Sequence, residues 1–184
     1  MKEKLEQELQ QYPILQYAWL KTEKITFLQR VRDICRTECP RYGTSWACPP
    51  GVGTVEECRQ RCGQYPDVFV FSTIAEVRDI TDMEETLSTR AEHEEITRQV
   101  AETFRRYFGD VIVLSTESCD ICKTCTYPER ECRHPDRMFP CVESYGILVT
   151  DLAQMGGMEF MNGANVVTWF SVIFYDGENR GLPQ

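Results

Sequence analysis

The chain has 184 residues, of which 42% are hydrophobic and 27% charged, with a formal net charge of −9. That length and balance fit one domain over residues 1–184 with a sizeable core, and they exclude a disordered chain. The acidic charge argues against non-specific binding to nucleic acid or to an anionic membrane surface.

Ten cysteines are the anomaly. Residues 1–9 carry no apolar core like that of a signal peptide. The longest nearly apolar stretch, Val166 to Tyr175, is too short to span a bilayer. The expectation is a cytoplasmic protein without membrane insertion. In such a compartment clustered cysteines point to metal rather than to disulfides.

In chain order, residues 3–12 read as a polar amphipathic helix. The first cysteine group follows: Cys35, Cys39, Cys48, Cys58 and Cys62. Pro40, Gly43, Pro49, Pro50 and Gly51 mark the intervening segment as turn-rich, fit to fold around an ion or cluster. Thr54-Val-Glu-Glu57 is a capping box that opens a helix to about Gly63.

Asp67 to Ile74 reads as a buried strand. Thr81-Asp-Met-Glu84 is a second capping box, opening a helix on which Ile96, Val100, Phe104 and Phe108 recur at helical spacing. Gly109 stops that helix. His93 lies amid acidic neighbours and reads as a surface residue. Asp110 to Thr116 is a second buried strand that runs into the second cysteine group: Cys119, Cys122, Cys125, Cys132 and Cys141. Tyr145 to Thr150 reads as a third strand, Leu152 to Met155 as a short helix ending at Gly156-Gly157, and Val166 to Tyr175 as a fourth strand before a polar tail.

This order predicts an α/β (α+β) fold, a ferredoxin-like sandwich of about four strands with cysteine-rich metal-binding loops. A small doubly wound sheet is the alternative topology.

Cys119-x2-Cys122-x2-Cys125 is the most specific signal. Two C-x-x-C steps sharing a middle cysteine wrap three thiolates around one corner of a cubane, and Cys132 closes the fourth iron. Bacterial ferredoxins use a similar run, with the fourth cysteine followed directly by proline. Here the fourth spacing is longer and Arg133-His134 intervenes before Pro135. Zinc is the rival occupant, with His134 as a substitute ligand.

In the first group, Cys35, Cys39 and Cys48 are candidate ligands. Cys58, in the first turn of its helix, is the preferred fourth ligand, because the positive end of the helix dipole favours a thiolate. Cys62, four residues on, is the competing choice. Arg30, Arg32, Arg36, Arg41, Arg59 and Arg61 outnumber the acids of this segment, as suits an anionic centre. Trp46, between two cysteines, is placed to shield a cluster from water. Glu143 and Tyr145 are placed to orient the second group. Dinucleotide, P-loop, nucleophile-elbow and zinc-protease motifs are absent from the sequence.

Cys39-Pro-Arg-Tyr-Gly-Thr-Ser-Trp-Ala-Cys48-Pro-Pro, the run from Cys119 to Cys132-Arg-His-Pro, and Pro140-Cys-Val-Glu-Ser-Tyr-Gly146 resemble a bacterial and archaeal family of cysteine-rich, predicted metal-binding proteins. The family pattern leads one to expect serine after Pro140. This chain has Cys141 there, which reads as a spare thiol. The resemblance covers nearly the whole chain, implies metal binding, and is similar to iron–sulfur proteins of anaerobes. Together these readings predict one or two [4Fe-4S] clusters and electron transfer to a redox protein or enzyme partner. The alternative is a zinc-binding interaction module without redox activity.

Overall fold

The computed structural model describes residues 2–178. Residues 179–184 of the expected polar tail lie outside the described residues. Six α-helices and four strands occur among those described. They are α1 (Lys2–Leu9), β1 (Gln16–Lys21), α2 (Gln29–Glu38), α3 (Val55–Cys62), β2 (Asp67–Glu76), α4 (Met83–Ser88), α5 (Arg90–Phe108), β3 (Val111–Leu114), α6 (Val149–Gly156) and β4 (Val166–Tyr175). Short 3-10 turns occupy Thr22–Lys24 and Glu143–Tyr145.

The strands form one sheet in the order β1-β2-β4-β3, with every neighbouring pair antiparallel. That arrangement overturns the doubly wound alternative, which requires parallel neighbours. β2 and β4 are the long central pair, in register from Asp67 opposite Tyr175 to Glu76 opposite Val166.

Both central strands are buried on both faces, because side chains alternate sides along a strand. Val68, Val70, Val172 and Phe174 pack into one core with Cys58 and Cys62 of α3 and Leu152 of α6. Phe69, Phe71, Ile173 and Tyr175 pack into another with Ile96, Val100 and Phe104 of α5 and Leu5 of α1. Each buried Phe contributes roughly 1.5–3 kcal/mol of transfer free energy. The sheet is therefore the middle of three layers. A ferredoxin-like sandwich with helices on one face is not what these residues build.

Three of the four expected strands are present as β2, β3 and β4. The expected strand at Tyr145 to Thr150 is absent. A 3-10 turn ends at Tyr145, Gly146 adopts a left-handed φ of 79°, and α6 begins at Val149. The reason is close approach: the Leu28 N–H donates to the Gly146 carbonyl at 2.7 Å, and a Cβ on Gly146 would meet the Leu28 carbonyl oxygen at 3.0 Å. The fourth strand is instead β1, an edge strand whose Ala18 lies opposite Val70.

The Thr54 capping box forms in full. The Thr54 hydroxyl accepts from the Glu57 N–H, and the Glu57 carboxylate accepts from the Thr54 N–H at 2.7 Å. At the second box the cap is Asp82 rather than Thr81. Its carboxylate accepts from the N–H groups of Glu84 and Glu85, both at 3.1 Å. The helix it opens is interrupted at Thr89, between α4 and α5.

His93 is fully buried, which corrects the surface reading. Its Nδ1 lies 2.8 Å from Thr73 Oγ1 and its Nε2 lies 2.8 Å from Ser171 Oγ. Burial holds its pKa down to about 3. No helix among the described residues is long and apolar enough to cross a membrane.

Candidate metal centre

After β3 the chain leaves the sheet and returns at Cys141. The Ser115 N–H donates to the Pro140 carbonyl at 2.9 Å, and the Val142 N–H donates to the Ser115 carbonyl at 3.0 Å. This single parallel bridge closes the neck of a long excursion over residues 116–140, which contains no helix or strand.

The excursion turns on itself through local bonds. The Arg130 N–H donates to the Thr126 carbonyl at 3.0 Å, the Met138 N–H to the His134 carbonyl at 2.9 Å, and Arg133 Nη1 to the Thr124 carbonyl at 3.0 Å. These turns bring Cys119, Cys122, Cys125 and Cys132 to the wall of one small, largely enclosed cavity of about 20 Å³. Trp46 and Met138 line the same cavity, and so does His134. The His134 N–H also points at Cys132 Sγ, 3.4 Å away.

The first cysteine loop packs over this excursion. Trp46 Nε1 donates to the Arg130 carbonyl at 2.9 Å, and its ring meets Tyr127 edge-on with centroids 4.9 Å apart. Arg41 Nη2 donates to the Cys119 carbonyl at 3.2 Å. On the other side, buried Arg90 at the start of α5 pairs with Asp120 at 2.9 Å and donates to the Thr116 carbonyl at 3.1 Å.

Burial pushes the Cys119 thiol up. The neighbouring Asp120 and Cys132 add to this, while the Ile121 N–H and Arg90 oppose it. A bound cation would supply the charge that deprotonation there requires.

The residues of the first group sit less alike. Cys35 lies near the end of α2, and Cys39 caps that helix, with its N–H donating to the Cys35 carbonyl at 3.3 Å. Cys48 is buried, and its thiol donates to Ser118 Oγ at 3.0 Å, one residue before Cys119. Burial pushes the Cys35 thiol up, and Cys39, Glu143 and Cys48 push it further.

Cys58 and Cys62 are both fully buried in the core beneath α3. The partners of Cys58 Sγ are Arg61 Nη2 at 3.2 Å, Arg32 Nη2 at 3.6 Å and the Val52 carbonyl at 3.5 Å. Arg61 also donates to that carbonyl. Even so, burial raises the Cys58 thiol above its ordinary range and raises Cys62 much further.

Sequence reasoning passed over Ser118 and Arg90, and it counted Arg32 only as one of several cations and Cys141 only as a spare thiol. Each acts across a sequence separation that no local spacing encodes. Arg32 alone bridges α2, the Gly53 carbonyl at 2.8 Å and the Ser144 carbonyl at 2.7 Å.

Among the described residues, no group of three or more His, Cys, Asp and Glu side chains is arranged around a single ion position. The donor chemistry of the cavity nevertheless fits a thiolate-held group, since four cysteines line it together with Trp46. Cysteines gathered this way on loops beside an α/β sheet mark the class, a cysteine-rich α/β protein with the donor chemistry of a metal-binding one. The chain belongs to the family described as "Predicted metal-binding protein (DUF2284)", whose model matches residues 18–175. No curated protein and no solved structure matches the chain.

Proposed function

We propose that the protein is an iron–sulfur protein that holds a [4Fe-4S] cluster on Cys119, Cys122, Cys125 and Cys132 and passes electrons to a redox protein or enzyme partner. The observation that carries this reading is the single enclosed cavity shared by those four cysteines. Their spacing, three cysteines two residues apart and a fourth on the return, suits a cubane better than the paired spacing of structural zinc sites.

When bound, the cluster supplies one-electron redox chemistry. The chain's own residues do the rest. Trp46, Ile121 and Met138 line the space and exclude water from it. The His134 N–H donates toward Cys132 Sγ, which stabilises negative charge on that sulfur. Arg90 and Arg41 fix the first turn of the excursion at Asp120 and at the Cys119 carbonyl, so that the ligands start from a set position.

The test is anaerobic purification of the full chain followed by iron, acid-labile sulfide, zinc and visible absorption. The expected result is about four iron and four sulfide for each cluster, with visible bands bleached by dithionite. Zinc without sulfide would replace this reading with a zinc-stabilised interaction module.

A further inference from the structure

The first cysteine group has three clear members, Cys35, Cys39 and Cys48. By sequence its fourth belongs to α3, yet both cysteines of α3 are turned into the core and Cys58 is engaged by two guanidinium groups. A different cysteine, Cys141, is tied through the fold to the segments that carry Cys35 and Cys48.

α2, which carries Cys35, is docked on the Glu143–Tyr145 turn by Arg32 Nε donating to the Ser144 carbonyl at 2.7 Å and the Leu28 N–H donating to the Gly146 carbonyl. Cys141 begins that turn, with the Ser144 N–H and hydroxyl both donating to its carbonyl, at 3.0 and 2.6 Å. The backbone of Cys141 is bridged to Ser115, and three residues later Ser118 holds Cys48. Two independent ties therefore converge. One brings Cys35 to the 141–145 turn, and the other brings Cys48 to the strand end that pairs with Cys141.

We propose that Cys35, Cys39, Cys48 and Cys141 form a second thiolate site for a soft metal centre, with Glu143 beside it as an oxygen donor, and that Cys58 is a core residue rather than a ligand. The mutual influence of these groups agrees: Cys39, Glu143 and Cys48 act on Cys35, and Glu143 and Cys48 act on Cys141. The two sites then share a wall, because Trp46 roofs the first cavity and Cys48, two residues on, belongs to the second. This inference rests on the chain binding metal and is independent of which metal fills the first site.

The test compares four variants of the full chain purified without oxygen, Cys122→Ala, Cys39→Ala, Cys141→Ala and Cys58→Ala, by iron, zinc and sulfide per chain. Cys39→Ala and Cys141→Ala are each expected to lose about half of the wild-type metal. Combining them should remove no more, while adding Cys122→Ala should remove the rest. Cys58→Ala is expected to keep the full metal content and melt at a lower temperature.

Alkylation with iodoacetamide followed by mass mapping covers the case in which Cys141→Ala does not fold. Cys141 should be protected in the wild type and labelled in Cys39→Ala, where an exposed residue has been changed. Full metal in Cys141→Ala, loss of metal in Cys58→Ala, or complete loss in Cys122→Ala alone would overturn the second site. The last of these would leave the first site standing. Zinc without sulfide in the wild type, half of it lost in Cys141→Ala, would do the reverse.

Discussion

The β2–β4 pair and the excursion over residues 116–140 are built on opposite principles. The strands form a ten-residue ladder with apolar side chains buried on both faces. The excursion has no ladder and is held at its neck, by Arg90 and Arg41, and by one indole. Hydrophobic burial orders the first region whether or not a metal is bound. In the proposed function, the second region would be ordered further by metal binding, since ligand-bond free energy becomes folding free energy for a segment without a core. The contrast teaches that stability and site formation can be perturbed separately.

The largest effect should come from the ladder. Phe69→Ala empties a fully buried position in the α5-side core and is expected to cost about 3–5 kcal/mol in urea denaturation. The loss should be the same with and without bound metal.

Arg90 joins the two regions. Arg90→Ala removes a buried cation from Glu94 and from Asp120, leaving the buried Glu94 carboxylate with Arg98, 3.9 Å away, as its cation. The expected cost is about 3 kcal/mol, accompanied by weaker metal retention, which Phe69→Ala should not show. Equal metal retention in the two variants would mean that Arg90 does not position the excursion.

His93 gives the sheet side a pH signature. The folded ring stays neutral down to about pH 3, while the unfolded ring titrates near 6.5. Below that ordinary value the unfolded chain binds a proton that the folded chain refuses. The stabilisation is thus complete above about pH 6.5 and is lost as pH falls, by about 1.4 kcal/mol for each pH unit. The slope is read as the difference between wild type and His93→Gln in urea denaturation across pH 4 to 7, because buried Glu143, raised to about 7, contributes in the opposite sense to both.

Smaller still, Thr54→Ala removes one half of the α3 capping box and should cost about 1 kcal/mol, read from the same denaturation curves. Trp46→Ala should change unfolding of the sheet least of all. It removes the roof of the cavity, so metal release to a chelator should become several-fold faster. A release rate equal to that of the wild type would show that the indole does not guard the site.

Much of the core was legible. Asp67 to Ile74 and Val166 to Tyr175 announce themselves as buried strands, and the stripe of Ile96, Val100, Phe104 and Phe108 marks the inner face of α5. His93 lies on that same stripe, three residues before Ile96 and seven before Val100. Periodicity therefore had the information, and the acidic neighbours Glu92, Glu94 and Glu95 obscured it. β1 was not legible, because an edge strand with polar ends shows little alternation. Tyr145 to Thr150 misled for the reverse reason: a short apolar run reads the same whether strand or turn, and the docking of Leu28 on Gly146 decides it.

Sequence alone determined which residue types gather in each cysteine group and how far a loop of a given spacing can reach, because both are local properties of the chain. It therefore marked Cys119, Cys122, Cys125 and Cys132 as one set before any fold was known. Which distant groups meet was decided by packing. Arg32 seats α2 on the 143–145 turn, Ser118 takes hold of Cys48, and Trp46 closes over Arg130. Those contacts join residues far apart in the chain. They exist only once the two apolar faces of the sheet have been covered and the elements that carry these residues are packed in place.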